Sequence, residues 1–98
     1  MSLMNLMSEA AALPASWRSR VLGQVGPANV KVLRMDALPL EEESHPYDEA
    51  LLVLEGTMEL TVAAGPLTVR AGELYLVKAG TPHAVREGSQ GTLVIIDL

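Results

Sequence analysis

A chain of 98 residues holds one hydrophobic core and not two, and with 49% apolar and 19% charged residues it has the composition of a globular domain, not of a disordered or coiled-coil segment. Twelve acidic residues against seven basic ones leave a net charge of -5 without a Lys/Arg cluster, which excludes the electrostatic footprint of a nucleic-acid binder. Cysteine is absent, so disulfide frameworks, thiolate zinc sites and cysteine nucleophiles are excluded together.

In chain order, Leu3, Met4, Leu6, Met7, Ala10 and Ala11 recur at three- and four-residue spacing before Pro14. This spacing predicts a short helix within residues 1–13, carried on an amino-terminal arm over 1–16. No apolar run approaches the ~18 to 20 residues that span a bilayer. The opening Met1-Ser2-Leu3-Met4-Asn5 also lacks the basic start of a signal peptide, so a soluble, cytoplasmic protein with no membrane partner is expected.

From Trp17 onward the pattern changes to period two or to short apolar runs bounded by turn residues, which predicts an all-β domain over 17–98. The predicted strands are 20–25, 29–35, 50–54, 57–63, 67–70, 74–77, 84–87 and 92–97. Between them stand Gly26-Pro27, Glu55-Gly56, Ala64-Gly65-Pro66, Ala71-Gly72, Ala79-Gly80-Thr81-Pro82 and Gly88-Ser89-Gln90-Gly91, all rich in turn-forming residues. About eight short strands at regular spacing imply a sandwich or barrel.

Ala50-Leu51-Leu52-Val53-Leu54 and Leu93-Val94-Ile95-Ile96 are apolar at every position, so both faces of each strand are expected to be covered. A homodimer is the expected cover of the second face. The alternative is that the amino-terminal helix caps it alone.

The chain has two histidines, each beside turn residues at a predicted strand end: His45 in Glu43-Ser44-His45-Pro46-Tyr47-Asp48-Glu49, and His83 closing Lys78-Ala79-Gly80-Thr81-Pro82-His83. Histidine and carboxylate side chains converging at strand ends suit a metal with N and O ligands. If residues 43–49 are extended, Glu43, His45 and Glu49 share one side while Glu42 and Asp48 point to the other. The plainer reading of this segment alone is a solvated acidic turn.

These residues also carry a resemblance to the cupin superfamily. The first cupin motif runs His-x-His, three or four residues, Glu, six residues, Gly; His45, Glu49 and Gly56 stand in register with it, and Glu43 occupies the position of the first histidine. In the second, Gly, five residues, Pro-x-Gly, two residues, His, the positions are held by Gly72, Gly80 and His83, with Lys78 at the proline and Glu87 at the usual closing asparagine. The resemblance covers roughly residues 17–98 and implies a small antiparallel jelly-roll β-barrel of about eight strands, of the single-domain RmlC-like type. It also implies a divalent metal held by Glu43, His45, Glu49 and His83, with Fe, Mn, Zn or Ni all compatible with such ligands.

The substitution at Glu43 leaves three arrangements open. With Glu43 coordinating, two carboxylates and two imidazoles neutralise a divalent ion; with Glu43 turned away, His45, Glu49 and His83 make the two-histidine, one-carboxylate set of non-haem iron oxygenases. In the third, the barrel has lost its metal and the histidines serve as pocket donors. Lys78 and Glu41-Glu42 read as solvated, Trp17, Met35 and Met58 as packing residues, and Tyr47 as either a loop anchor or a hydrogen-bonding group. The expected function is metal-dependent chemistry of oxygenase, isomerase or lyase type on a small molecule. A non-catalytic module binding a small ligand or metal, and a dimerisation scaffold with a vestigial pocket, are the competing expectations.

Overall fold

A computed structural model describes residues 2–98 of the protein. One helix, α1 (Leu6–Ala11), precedes eight strands: β1 (Arg20–Val25), β2 (Ala28–Met35), β3 (Leu40–Glu43), β4 (Glu49–Val62), β5 (Gly65–Arg70), β6 (Leu74–Val77), β7 (His83–Val85) and β8 (Gln90–Asp97). Asn5 starts the helix by accepting the Ser8 N–H on its side-chain oxygen at 3.0 Å, which satisfies one of the free donors of the first turn. The helix therefore begins later than the apolar spacing alone suggests. No helix among the described residues is long and apolar enough to cross a membrane.

All eight strands belong to one antiparallel sheet in the order β1-β2-β8-β4-β7-β3, with β5 and β6 also pairing with β4. β4 is the hub. Its first half pairs with β6 and β8, its second half with β5 and β7, so the chain passes from one side of the barrel to the other without leaving the strand. The expected turn at Glu55-Gly56 is instead a bend inside one 14-residue strand. Gly56 (φ 79°) and Gly91 (φ 103°) face each other across β4 and β8, and a Cβ on either would strike the opposite backbone, at the Gln90 and Glu55 carbonyls. The register shift between Val53 and Glu55 is the bulge that turns the strand.

Alternation sorts the side chains. Leu33, Met35, Leu51, Val53, Met58 and Leu60 are buried with four others in the barrel interior. Each such aliphatic side chain contributes roughly 1.5–3 kcal/mol by leaving water. On the opposite face of the same strands a second cluster joins Val32 and Val94 to Ala10 of α1, with Leu6, Leu52 and Leu54 packed around it. Arg34 anchors the helix there, its Nη1 donating to the Ala10 and Leu13 carbonyls at 2.8 and 3.2 Å. Cross-strand pairing puts Leu74, Leu76 and Ile96 on this outer face beside Leu52 and Ala50, and they stay 49%, 57% and 38% exposed. The helix thus covers only part of the doubly apolar strands.

Candidate metal centre

Glu43 ends β3 directly opposite His83 at the start of β7. A register shift between Leu40 and Glu43 lets both line the barrel interior, which strict alternation over three residues forbids. Segment 43–49 is not one extended run, as the face-sharing argument supposed: β3 stops at Glu43, Ser44–Asp48 forms a loop, and β4 starts at Glu49. The three side chains nonetheless converge, because that loop returns over the same end of the barrel.

The pairwise distances describe a compact cluster. His45 Nε2 lies 3.3 Å from Glu43 Oε1 and 4.0 Å from Glu49 Oε1, and His83 Nε2 lies 3.8 and 3.6 Å from the same two oxygens. Glu43, His45 and His83 each offer one donor atom, all within 4.8 Å of one another. Ligands held about 2.1 Å from a shared ion stand roughly 3 to 4 Å apart, so the spacing fits a metal.

Proton placement fits as well. His83 Nδ1 sits 3.1 Å from the Thr81 carbonyl and donates to it in the neutral tautomer, leaving the Nε2 lone pair facing the carboxylates. His45 Nε2 is buried and finds no aligned hydrogen-bond partner among the described residues. A buried ring nitrogen without an aligned partner, beside three further potential donors, gives a group able to hold a cation. Tyr47 stacks flat on His45, with ring centroids 5.1 Å apart and an interplanar angle of 6°, so of its two expected roles it fills that of loop anchor.

Burial pushes the Glu49 carboxyl above the ordinary carboxylate range; the charge of His45 opposes this, a hydrogen bond that the protonated carboxyl donates to Asp97 adds to it, and His83 opposes it in turn. Asp97 is itself buried and ion-paired to Lys31 Nζ at 2.8 Å. Nothing in the sequence pointed to Asp97, because pairing of β8 with β2 and β4, strands far away in the chain, leaves no local pattern.

Two further residues tie the ligand loops together. Asp48 Oδ1 accepts the Ala79 N–H at 2.8 Å and its other oxygen faces Lys78 Nζ at 3.4 Å, while the Gly80 N–H donates to the His45 carbonyl at 2.7 Å. Lys78 keeps a 74% exposed side chain, in line with its solvated reading. Asp48, set aside as outward-pointing, is the missed residue here. An Asx side chain just before a strand is the signal that could have marked it.

The donors open on a cavity of about 240 Å³ lined by Glu43, Glu49 and His83 and by apolar side chains such as Leu51, Met58 and Leu60. A barrel mouth with two imidazoles and two carboxylates above an apolar interior accords with the family whose model, described as the cupin domain, matches residues 36–98. The chain belongs to the cupin family. No curated protein matches it.

Solved structures match this cupin along most of its length. A cupin-2 domain containing protein from Shewanella frigidimarina superposes with a TM-score of 0.88 at 22% identity, covering 97% of this chain and 93% of its own. A Neisseria meningitidis protein reaches 0.83 at 26% identity with 98% of each chain covered. A cupin superfamily protein from Desulfitobacterium hafniense reaches 0.74 at 20% identity, over 91% of this chain and 85% of that one. Likeness at these identities establishes the jelly-roll fold. The reaction has to come from the site.

Proposed function

We propose that this cupin holds one divalent transition-metal ion on Glu43, His45, Glu49 and His83 and acts through it on a small molecule. The observation that carries this reading is the approach of both imidazole Nε2 atoms to both carboxylates, with His45 Nε2 buried and otherwise unpartnered. Fe, Mn, Zn and Ni all accept imidazole and carboxylate, and the two negative charges would balance a divalent ion. Bound there, such an ion supplies Lewis-acid polarisation or, as iron, redox chemistry, which suits an oxygenase, isomerase or lyase type of reaction.

The chain's own residues define the rest. Thr81 fixes the His83 ring, Tyr47 fixes the His45 ring, and the apolar interior excludes water around a ligand whose polar end reaches the donors. The test is metal analysis of protein purified without added metal, followed by oxygen uptake of the Fe(II)-loaded form with small acids, diols and thiols. A second reading, capture of a ligand or metal without turnover, is favoured by the short connections at the mouth: Ser44–Asp48 and the loop after β6 carry or brace ligands themselves. Absence of turnover with every substrate class, in protein that retains its metal, selects that second reading.

The outer face bearing Leu74, Leu76 and Ile96 supports a homodimer in which a second copy covers these side chains. Sedimentation of the protein and of Leu76→Glu checks this. A dimer that the substitution dissociates is expected, and a monomeric parent rejects it.

A further inference from the structure

Trp17 is the only non-glycine among the described residues with a positive φ, 63°, a conformation that bulky L side chains adopt only when their surroundings impose it. Those surroundings are on view. The Trp17 N–H donates to the Arg34 carbonyl at 2.8 Å and the indole Nε1 donates to Asp36 Oδ1 at 2.9 Å. Upstream, the Arg34 guanidinium clamps the Ala10 and Leu13 carbonyls of the arm. Arg34 of β2 and Asp36 just beyond it therefore grip the arm, and the indole packs on the barrel core as a wall of the cavity shared by Glu43, Glu49 and His83.

The family match begins at Asp36, so Trp17, Ser19 and Leu33 line the cavity from outside the matched region. Trp17 is also the chain's single tryptophan and the bulkiest side chain facing the cavity. At about 240 Å³ the space exceeds the ~150 Å³ apolar cavity that takes up benzene, and replacing the Trp17 indole by a smaller side chain enlarges it further.

We infer that Trp17 is the specificity-determining wall of the cavity, limiting its ligand to a small molecule with one metal-coordinating end and a short apolar remainder. The inference rests on the proposed metal centre for the polar end of the ligand; the steric limit itself stands on the cavity alone.

Two arms of one experiment separate these. In the first, Co(II)-loaded protein is titrated with lactate, mandelate and indole-3-lactate, following the visible spectrum of the ion, in the parent and in Trp17→Phe, Trp17→Leu and Trp17→Ala. The parent is expected to bind indole-3-lactate at least tenfold more weakly than mandelate, and Trp17→Ala to gain at least tenfold for indole-3-lactate with lactate unchanged; the Phe and Leu variants fall between and carry the test if the Ala variant does not fold. In the second arm free indole is titrated into metal-free parent and variants by calorimetry, with binding expected to tighten where the indole side chain has been removed. Unchanged ligand ratios across folded variants, together with no gain in indole binding, overturn the role of Trp17. If the parent takes up no Co(II), the metal reading fails and the indole arm alone decides the wall.

Discussion

His83 enters the centre almost fully buried, its ring nitrogen set on the Thr81 carbonyl, on a strand that pairs on one side with β3 and on the other with β4. Glu43 reaches the same point from a strand exposed at every residue, with a 60% exposed side chain, and His45 rides on the loop that follows. Half of the donor set, His83 and Glu49, is thus buried before any ligand arrives; in the other half Tyr47 already holds the His45 ring, and the exposed Glu43 is the donor left to be ordered. Ordering an exposed side chain costs binding free energy, so the two halves should differ in what their loss does.

The sharpest way to break the comparison is His83→Ala, which removes a pre-set donor. Metal affinity measured by calorimetric titration is expected to fall by more than about 100-fold, beyond the ~10- to 100-fold usual for losing an outer partner. Glu43→Gln tests the adjustable half. It leaves His45, Glu49 and His83 as a two-histidine, one-carboxylate set, so the loss should stay near tenfold or below.

Glu49 sharpens the comparison through pH. Its carboxyl is raised above the ordinary value near 4.5, chiefly by burial, so the fold favours the protonated form. The stability this group contributes to the ion-free protein is full below 4.5 and is lost as pH rises through the raised folded value. Thermal melts of ion-free protein from pH 4 to 8 should therefore decline more steeply in the parent than in Glu49→Gln. The same substitution removes a ligand and should abolish the metal-induced rise in Tm.

Asp48 gives the smallest effect. The Ala79 N–H and then the Lys78 ammonium hold its carboxyl below the ordinary range, so its contribution is present above 3.8 and is lost as pH falls through the lowered folded value. Being exposed, Asp48 contributes little to global stability. Asp48→Asn should leave Tm nearly unchanged at neutral pH and weaken metal binding by less than about tenfold, because Gly80 still bonds the His45 carbonyl.

These unequal halves were also unequally legible in the sequence. His83, Gly80 and Gly72 stand in a spaced motif whose residues keep that order in the fold, with Gly72 and Gly80 both at positive φ. Six of the eight predicted strands, at 20–25, 29–35, 67–70, 74–77, 84–87 and 92–97, overlap observed strands one to one. β3 was not among them, since Leu40-Glu41-Glu42-Glu43 lacks apolar alternation and lies exposed throughout. Gly56 misled for a different reason: a positive-φ glycine marks turns and bulges alike, and only its partner Gly91 across the sheet tells them apart. Trp17 read as packing, which its contacts with the core bear out, but neither its backbone conformation nor its place on the cavity wall has a local signature.

Metal content per chain, measured on protein purified without added metal and on His83→Ala and Glu43→Gln prepared in parallel, tests the centre most directly. One transition-metal ion per parent chain is expected, lost in His83→Ala and partly retained in Glu43→Gln. A parent that carries no ion and takes none up when Fe, Mn, Zn or Ni is supplied contradicts the metal centre.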